Sequence, residues 1–218
     1  MKSFLLRTVL ASWGLIVSCG LAYADTVTFT LGNVPSGDVN ILLNSGTTGT
    51  TVQGSPNGSP QLTVNFTSTQ VLLEPSSGQA RVSANPEGTP LTNLSISLAS
   101  GFTYTDLIIN PFVGGPGVCP NCVLGNATVT VNALSSTGTP EAPQTFTYAL
   151  GNGNNFITIV AINGEKIVST SISAPGGFND LRQPRISGPF SSVPEPASLF
   201  SLGFAVLGLG LAMRRLKL

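Results

Sequence analysis

The sequence predicts an all-β protein: a jelly-roll-like β-sandwich body over residues 25–192, between two apolar ends that carry positive charge. Three observations carry this expectation. First, the body contains no long apolar stretch with a 3.6-residue period. Second, short alternating runs rich in Val, Ile, Thr and Phe recur along it, cut by Gly, Pro, Asn and Ser. Third, twelve such runs follow one another at close spacing, as in sandwiches and barrels.

The runs place strands at 26–31, 39–43, 62–67, 70–74, 80–83, 94–98, 103–109, 127–133, 145–150, 156–162, 167–173 and 180–186. Each alternates, so one face is apolar. Phe66, Ile96, Leu98, Ile108, Val129, Val131, Phe146, Phe156, Ile159 and Ile162 are the candidate core. Residues 46–58 and 135–143 are rich in Gly, Thr, Ser and Pro and read as loops. Asn163-Gly164, between two strong strands, reads as a hairpin turn.

Composition narrows the function. The chain has 218 residues, with 9 Lys+Arg and 9 Asp+Glu, so its formal net charge is zero. Charged residues make up 8%, against about 25% in an average soluble domain. The basic surface a nucleic-acid binder needs is missing. With no histidine, a His-based triad and a His-ligated metal are excluded. The neutral total hides an asymmetry. The body holds Arg81, Lys166, Arg182 and Arg185 against eight acids, a net charge of −4, while both ends are basic.

At the N-terminus, Lys2 and Arg7 precede a short apolar stretch, and Ala22 and Ala24 flank Tyr23 in a cleavage-site pattern. Residues 1–24 read as a secretory signal peptide, cut by signal peptidase after passage through the secretion machinery. A permanent anchor is the alternative, disfavoured because the run is shorter than the roughly 20 residues of a span. Ile16-Val17-Ser18-Cys19 also resembles a lipobox, which leaves lipidation of Cys19 open.

The C-terminus, 193–218, has three parts in order. Pro194-Glu195-Pro196 comes first; then residues 197–213 carry no charge; then Arg214, Arg215 and Lys217 close the chain. The uncharged segment suits one short transmembrane helix, with the basic cluster as its cytoplasmic stop. This tail resembles the PEP-CTERM sorting signal of exopolysaccharide-producing Gram-negative bacteria. The resemblance implies recognition of Pro194, Glu195 and Pro196 by an exosortase, a membrane protease-transpeptidase. Two body stretches, 102–111 and 178–187, resemble bodies that precede such tails; residues 178–187 are similar to the last strand of secreted jelly-roll modules.

Cys119-Pro120-Asn121-Cys122 admits three readings. A thioredoxin-type redox pair needs a helix under the first cysteine. Zinc needs further ligands. A local disulfide pinning a loop fits an oxidising envelope and is preferred. Asp106, Glu165 and Asp180 fall at strand ends and read as surface carboxylates, with a carboxylate pair or a calcium site as alternatives. Arg182 and Arg185 are three apart, so on a regular strand they face opposite ways; at least one reads as a structural ion-pair partner. Tyr104 and Tyr148 are candidates for stacking on a sugar or for the core. The triplets beginning at Asn57, Asn65, Asn93 and Asn126 match the glycosylation pattern by chance in so Asn-, Ser- and Thr-rich a chain.

The expected protein is a non-catalytic exported cell-surface or extracellular-matrix protein of the biofilm, without metal or cofactor. It passes through an inner-membrane-anchored precursor facing the periplasm. The alternative is a carbohydrate-binding module for the producer's own polysaccharide, which makes exopolysaccharide a candidate partner. A secreted hydrolase is the third reading, disfavoured by the missing histidine and sparse acids.

Overall fold

A computed structural model describes residues 27–188, apart from 36–37, 44, 60, 76–79, 100 and 115–117. The expected signal peptide with Ala22 and Ala24, and the tail with its sorting motif and basic cluster, lie outside the described residues. The described part is all-β, with a sandwich- or barrel-like fold. Its twelve strands are β1 Val27–Leu31, β2 Val39–Leu42, β3 Thr48–Pro56, β4 Val64–Leu73, β5 Arg81–Ala84, β6 Leu91–Leu98, β7 Asp106–Phe112, β8 Asn126–Leu134, β9 Gln144–Ala149, β10 Ile157–Ala161, β11 Lys166–Phe178 and β12 Asp180–Ser187.

Hydrogen bonding orders them β1-β10-β7-β12-β2-β3-β4-β6-β11-β8-β9, with β5 pairing both β12 and β4. The two ends of this path meet through side chains. Phe29 of β1 stacks on Phe146 of β9 with ring centroids 5.3 Å apart. Gln144 of β9 accepts a hydrogen bond from the Val27 amide at 3.2 Å. One apolar cluster therefore fills the interior, from Val27 through Phe66, Leu94, Tyr104 and Ile159 to Phe178.

Alternation makes that core. In β4, Val64, Phe66, Ser68 and Leu72 are buried between more exposed neighbours. In β8, Ala127, Val129, Val131 and Ala133 do the same. Seven of the ten core candidates are buried: Phe66, Ile96, Leu98, Ile108, Val129, Val131 and Ile159. Phe146, Phe156 and Ile162 are half-buried, at an edge strand or next to strand ends.

Three expectations are corrected. The segment expected as a loop at 46–58 is mostly β3, laddered to β4 from Thr48↔Leu73 to Gly54↔Val64. Its small polar residues serve the sheet: Thr51 and Thr67 hydroxyls lie 3.1 Å apart, and Gln53 donates to Asn65 at 2.9 Å. Gly54 is a packing choice, since a Cβ there would stand 2.8 Å from the Leu42 carbonyl oxygen. Second, the strands expected at 62–67 and 70–74 are one strand, β4, continuous through Ser68, which donates to the Asn93 carbonyl at 2.7 Å. Third, Asn163-Gly164 is a turn, with φ of 56° and 83°, but not a hairpin. It joins β10, whose edges are taken by β1 and β7, to β11, which pairs with β6 and β8. Turn chemistry sets the chain reversal, not the pairing of the strands that follow.

Candidate functional site

The feature with most chemistry lies where β12 is irregular. β12 runs antiparallel to β7, with Arg182 opposite Asn110 and Arg185 opposite Ile108. Three steps along β12 thus match two along β7, so β12 carries one extra residue, a β-bulge. Gln183 sits in it with φ of 48°, its amide bonded to the Ala80 carbonyl at 2.7 Å. The bulge cancels the odd spacing. Asn110 and Ile108 share one face of β7, and so Arg182 and Arg185 share one face of β12, against the expectation from a regular strand. That face points away from the apolar interior, into which Leu181 and Ile186 project.

Arg81 joins them from β5, as the direct register partner of Arg182. Two cations opposite each other repel, and Asp180 offsets this. Its carboxylate is 0% exposed, so the surface location expected for it is overturned. It accepts from Arg182 Nε at 2.7 Å and Nη2 at 3.2 Å, from Asn179 Nδ2 at 2.9 Å, and from Arg81 Nη1 at 3.5 Å. Burial is tolerated because each oxygen has donors. The Arg182 guanidinium also lies over the Phe112 ring, 3.5 Å from its centroid. Arg182 is thus the structural ion-pair partner that the sequence suggested. Arg81 reaches outward as well, to Glu87 at 2.6 Å.

Arg185 differs. Its Nε donates to Asn40 Oδ1 and its Nη1 to Asn33 Oδ1, each at 3.2 Å. These are neutral amides, so no described carboxylate neutralises it. An open cleft of about 630 Å3 lies over this array, lined by Asn40, Leu42, Ala80, Arg81, Arg182, Gln183 and Arg185. A second cleft of about 650 Å3, lined by Ser45, Thr47, Thr51, Gln53 and neighbours, carries no charged side chain. Beside it, Glu74 is buried and accepts from the Ser45 amide at 2.7 Å and the Thr47 hydroxyl at 2.8 Å.

The other residues singled out by the sequence are dispersed. Cys119 and Cys122 are joined in a disulfide, Cα atoms 5.3 Å apart. It lies in the connection between β7 and β8, with no helix beneath it. Asp106 accepts from the Thr105 and Ser187 hydroxyls, both at 2.6 Å. Among the described residues, no group of three or more His, Cys, Asp or Glu could hold a metal ion. Tyr104 is fully buried, donating to Thr170 Oγ1 at 2.8 Å, and Tyr148 is buried beside Phe146. Neither presents a face to a sugar, so stacking is ruled out for both. Burial raises both phenol pKa values above the ordinary tyrosine value; for Tyr104 the Thr170 bond opposes this in part.

The sequence presents Asp180, Arg182 and Arg185 as candidates but not their convergence, and it does not tie Arg81, Asn40 or Gln183 to them. The available signal was Pro184, which cannot donate to a ladder and marks a bulge when it falls inside a strand.

The described body is all-β with a charged cleft, and a C-terminal segment follows it in the sequence. The segment supplies the identification. Residues 192–215 match the family model described as the PEP-CTERM protein-sorting motif, so the chain carries a PEP-CTERM sorting motif. The motif implies an exported, secreted protein processed by an exosortase, a membrane protease. No curated protein matches the chain. Among solved structures, two variants of a family 29 carbohydrate-binding module align with it. One is 12% identical, over 76% of this chain and 92% of that one, at a TM-score of 0.23. The other is 10% identical, over 74% and 88%, at 0.19. Likeness at these scores carries no argument about this chain. Among the described residues, no helix is long and apolar enough to cross a membrane; the span expected at 197–213 lies outside them.

Proposed function

We propose that this is a non-catalytic cell-surface or matrix protein whose jelly-roll-like body is delivered through its two ends. The leader directs export. Residues 197–213 then insert as a short helix, stopped by Arg214, Arg215 and Lys217, giving an inner-membrane-anchored precursor. Insertion holds Pro194-Glu195-Pro196 at the outer membrane–water boundary. The two prolines keep that stretch out of the helix and extended, open to an exosortase. Cleavage there releases the body to the surface or the biofilm matrix. The match of residues 192–215 to the sorting motif is the observation that carries this reading.

The test is to replace Pro194, Glu195 and Pro196 with alanine in a strain with a working exosortase. Export and membrane insertion are expected to persist while release stops, so mass spectrometry finds the helix still attached in the variant and absent from the wild type. A wild-type protein that keeps its helix in that strain overturns the reading.

A further inference from the structure

We propose that the cleft over the β12 bulge binds an acidic saccharide, with Arg185 holding the sugar carboxylate. The inference stands on the cleft alone and is independent of the sorting reading.

Four body cations face eight acids, yet Arg81, Arg182 and Arg185 all line one cleft. Their placement is built rather than incidental. A bulge at Gln183 brings two of them to one face, and the register of β5 on β12 brings the third alongside. Asp180 and Glu87 offset two of the three charges. The charge left over belongs to Arg185, whose Nε and Nη1 meet only amide oxygens. A ligand carboxylate that takes the place of Asn33 on Nη1 adds the attraction of opposite charges to a guanidinium–oxygen hydrogen bond. Asn40 holds one edge of the guanidinium at 3.2 Å, so part of its freedom is already lost before a ligand arrives.

The lining selects a sugar over a bare ion or a nucleotide. About 630 Å3 far exceeds the need of an inorganic anion and falls within the range of about 300–1,000 Å3 for organic ligands. Asn40 and Gln183 offer amides for hydroxyl groups, while Leu42 and Ala80 offer apolar wall for ring carbons. Among the described residues, no aromatic ring lines the cleft to stack on a base. The ring of Phe112 is covered by Arg182.

The test is calorimetric titration of the full-length chain in neutral detergent micelles with three probes: trigalacturonate, the uncharged trisaccharide cellotriose, and inorganic phosphate. Trigalacturonate is expected to bind, more weakly as salt is added, while cellotriose and phosphate do not bind at the same concentration. Arg185→Gln should lower affinity for trigalacturonate about tenfold or more, the order expected for losing a charge-assisted pair. Glu87→Gln provides an independent arm. Its side chain is 52% exposed and pairs only the outer edge of Arg81, so the fold should tolerate it, and unmasking Arg81 should tighten binding. Equal binding of cellotriose or of phosphate would overturn the saccharide assignment. So would unchanged affinity in Arg185→Gln, or weaker binding in Glu87→Gln.

Discussion

Replacing Asp180 by asparagine removes one charge from the arginine array with almost no change of shape. The native carboxylate is fully buried and takes four donors: two from Arg182, one from Asn179 and one from Arg81. Removing one member of a buried ion pair costs about 3–5 kcal/mol when its partner is also buried. Here the partner side chains are 33% and 25% exposed, so both guanidinium groups recover some hydration and the lower end applies. The new amide still offers one acceptor, but its NH2 faces donors, and the repulsion between directly opposed Arg81 and Arg182 is no longer offset. A loss of about 3 kcal/mol is expected, a large part of the roughly 5–15 kcal/mol that stabilises a domain. Urea unfolding followed by far-ultraviolet circular dichroism measures it; the single tryptophan, Trp13, lies outside the described residues. With a slope of about 2 kcal/mol per molar urea, the midpoint should fall by about 1.5 M at unchanged slope. Glu87→Gln is the control, because an exposed pair contributes at most about 1 kcal/mol. If Asp180→Asn costs no more than this control, the buried charge does not hold the array, and the reasoning fails.

Two further outcomes follow from burial and loop length. Tyr104 and Tyr148 have raised pKa values in the folded state, so stability is complete below the unfolded value of about 10 and declines as pH rises beyond it. In a Tyr23→Phe background the phenolate band should appear only with cooperative alkaline unfolding; titration of either phenol near its ordinary value, with the fold intact, would contradict the burial. The Cys119–Cys122 link closes a very short loop, with a sequence separation of 3, for which chain entropy allows about 2 kcal/mol at most. Mild reduction should leave the sheet folded and chiefly raise amide exchange at Val123, which bonds the Gly176 carbonyl at 2.9 Å. Global unfolding on reduction would show that the link does more than pin its loop.

What the sequence made legible depended on range. The alternation of Ala127, Val129 and Val131 with Thr128 and Thr130 is local, and β8 sits where it predicts. β3 was hidden because its faces carry Thr, Gln, Gly and Ser, and its ladder to β4 rather than its own composition makes it a strand. The same holds for the cleft. Asp180, Arg182 and Arg185 were visible as residue types, but their common face depends on a bulge, and Arg81 arrives from a strand about a hundred positions earlier. Tyr104 offered no means of telling core from surface until β11 was laid over it, placing Thr170 against its hydroxyl.

The pairing order has a consequence for folding. β1 pairs with β10 through Val27↔Ala161, β2 with β12 through Val39↔Ile186, and β5 with β12 through Ser83↔Asp180. The strands made first on the ribosome are thus completed by strands made last. Contacts so distant along the chain form slowly, and no N-terminal portion can seal its own edges. Although β2, β3, β4 and β6 pair among themselves earlier, closure of the sheet waits until nearly all of the chain has been synthesised.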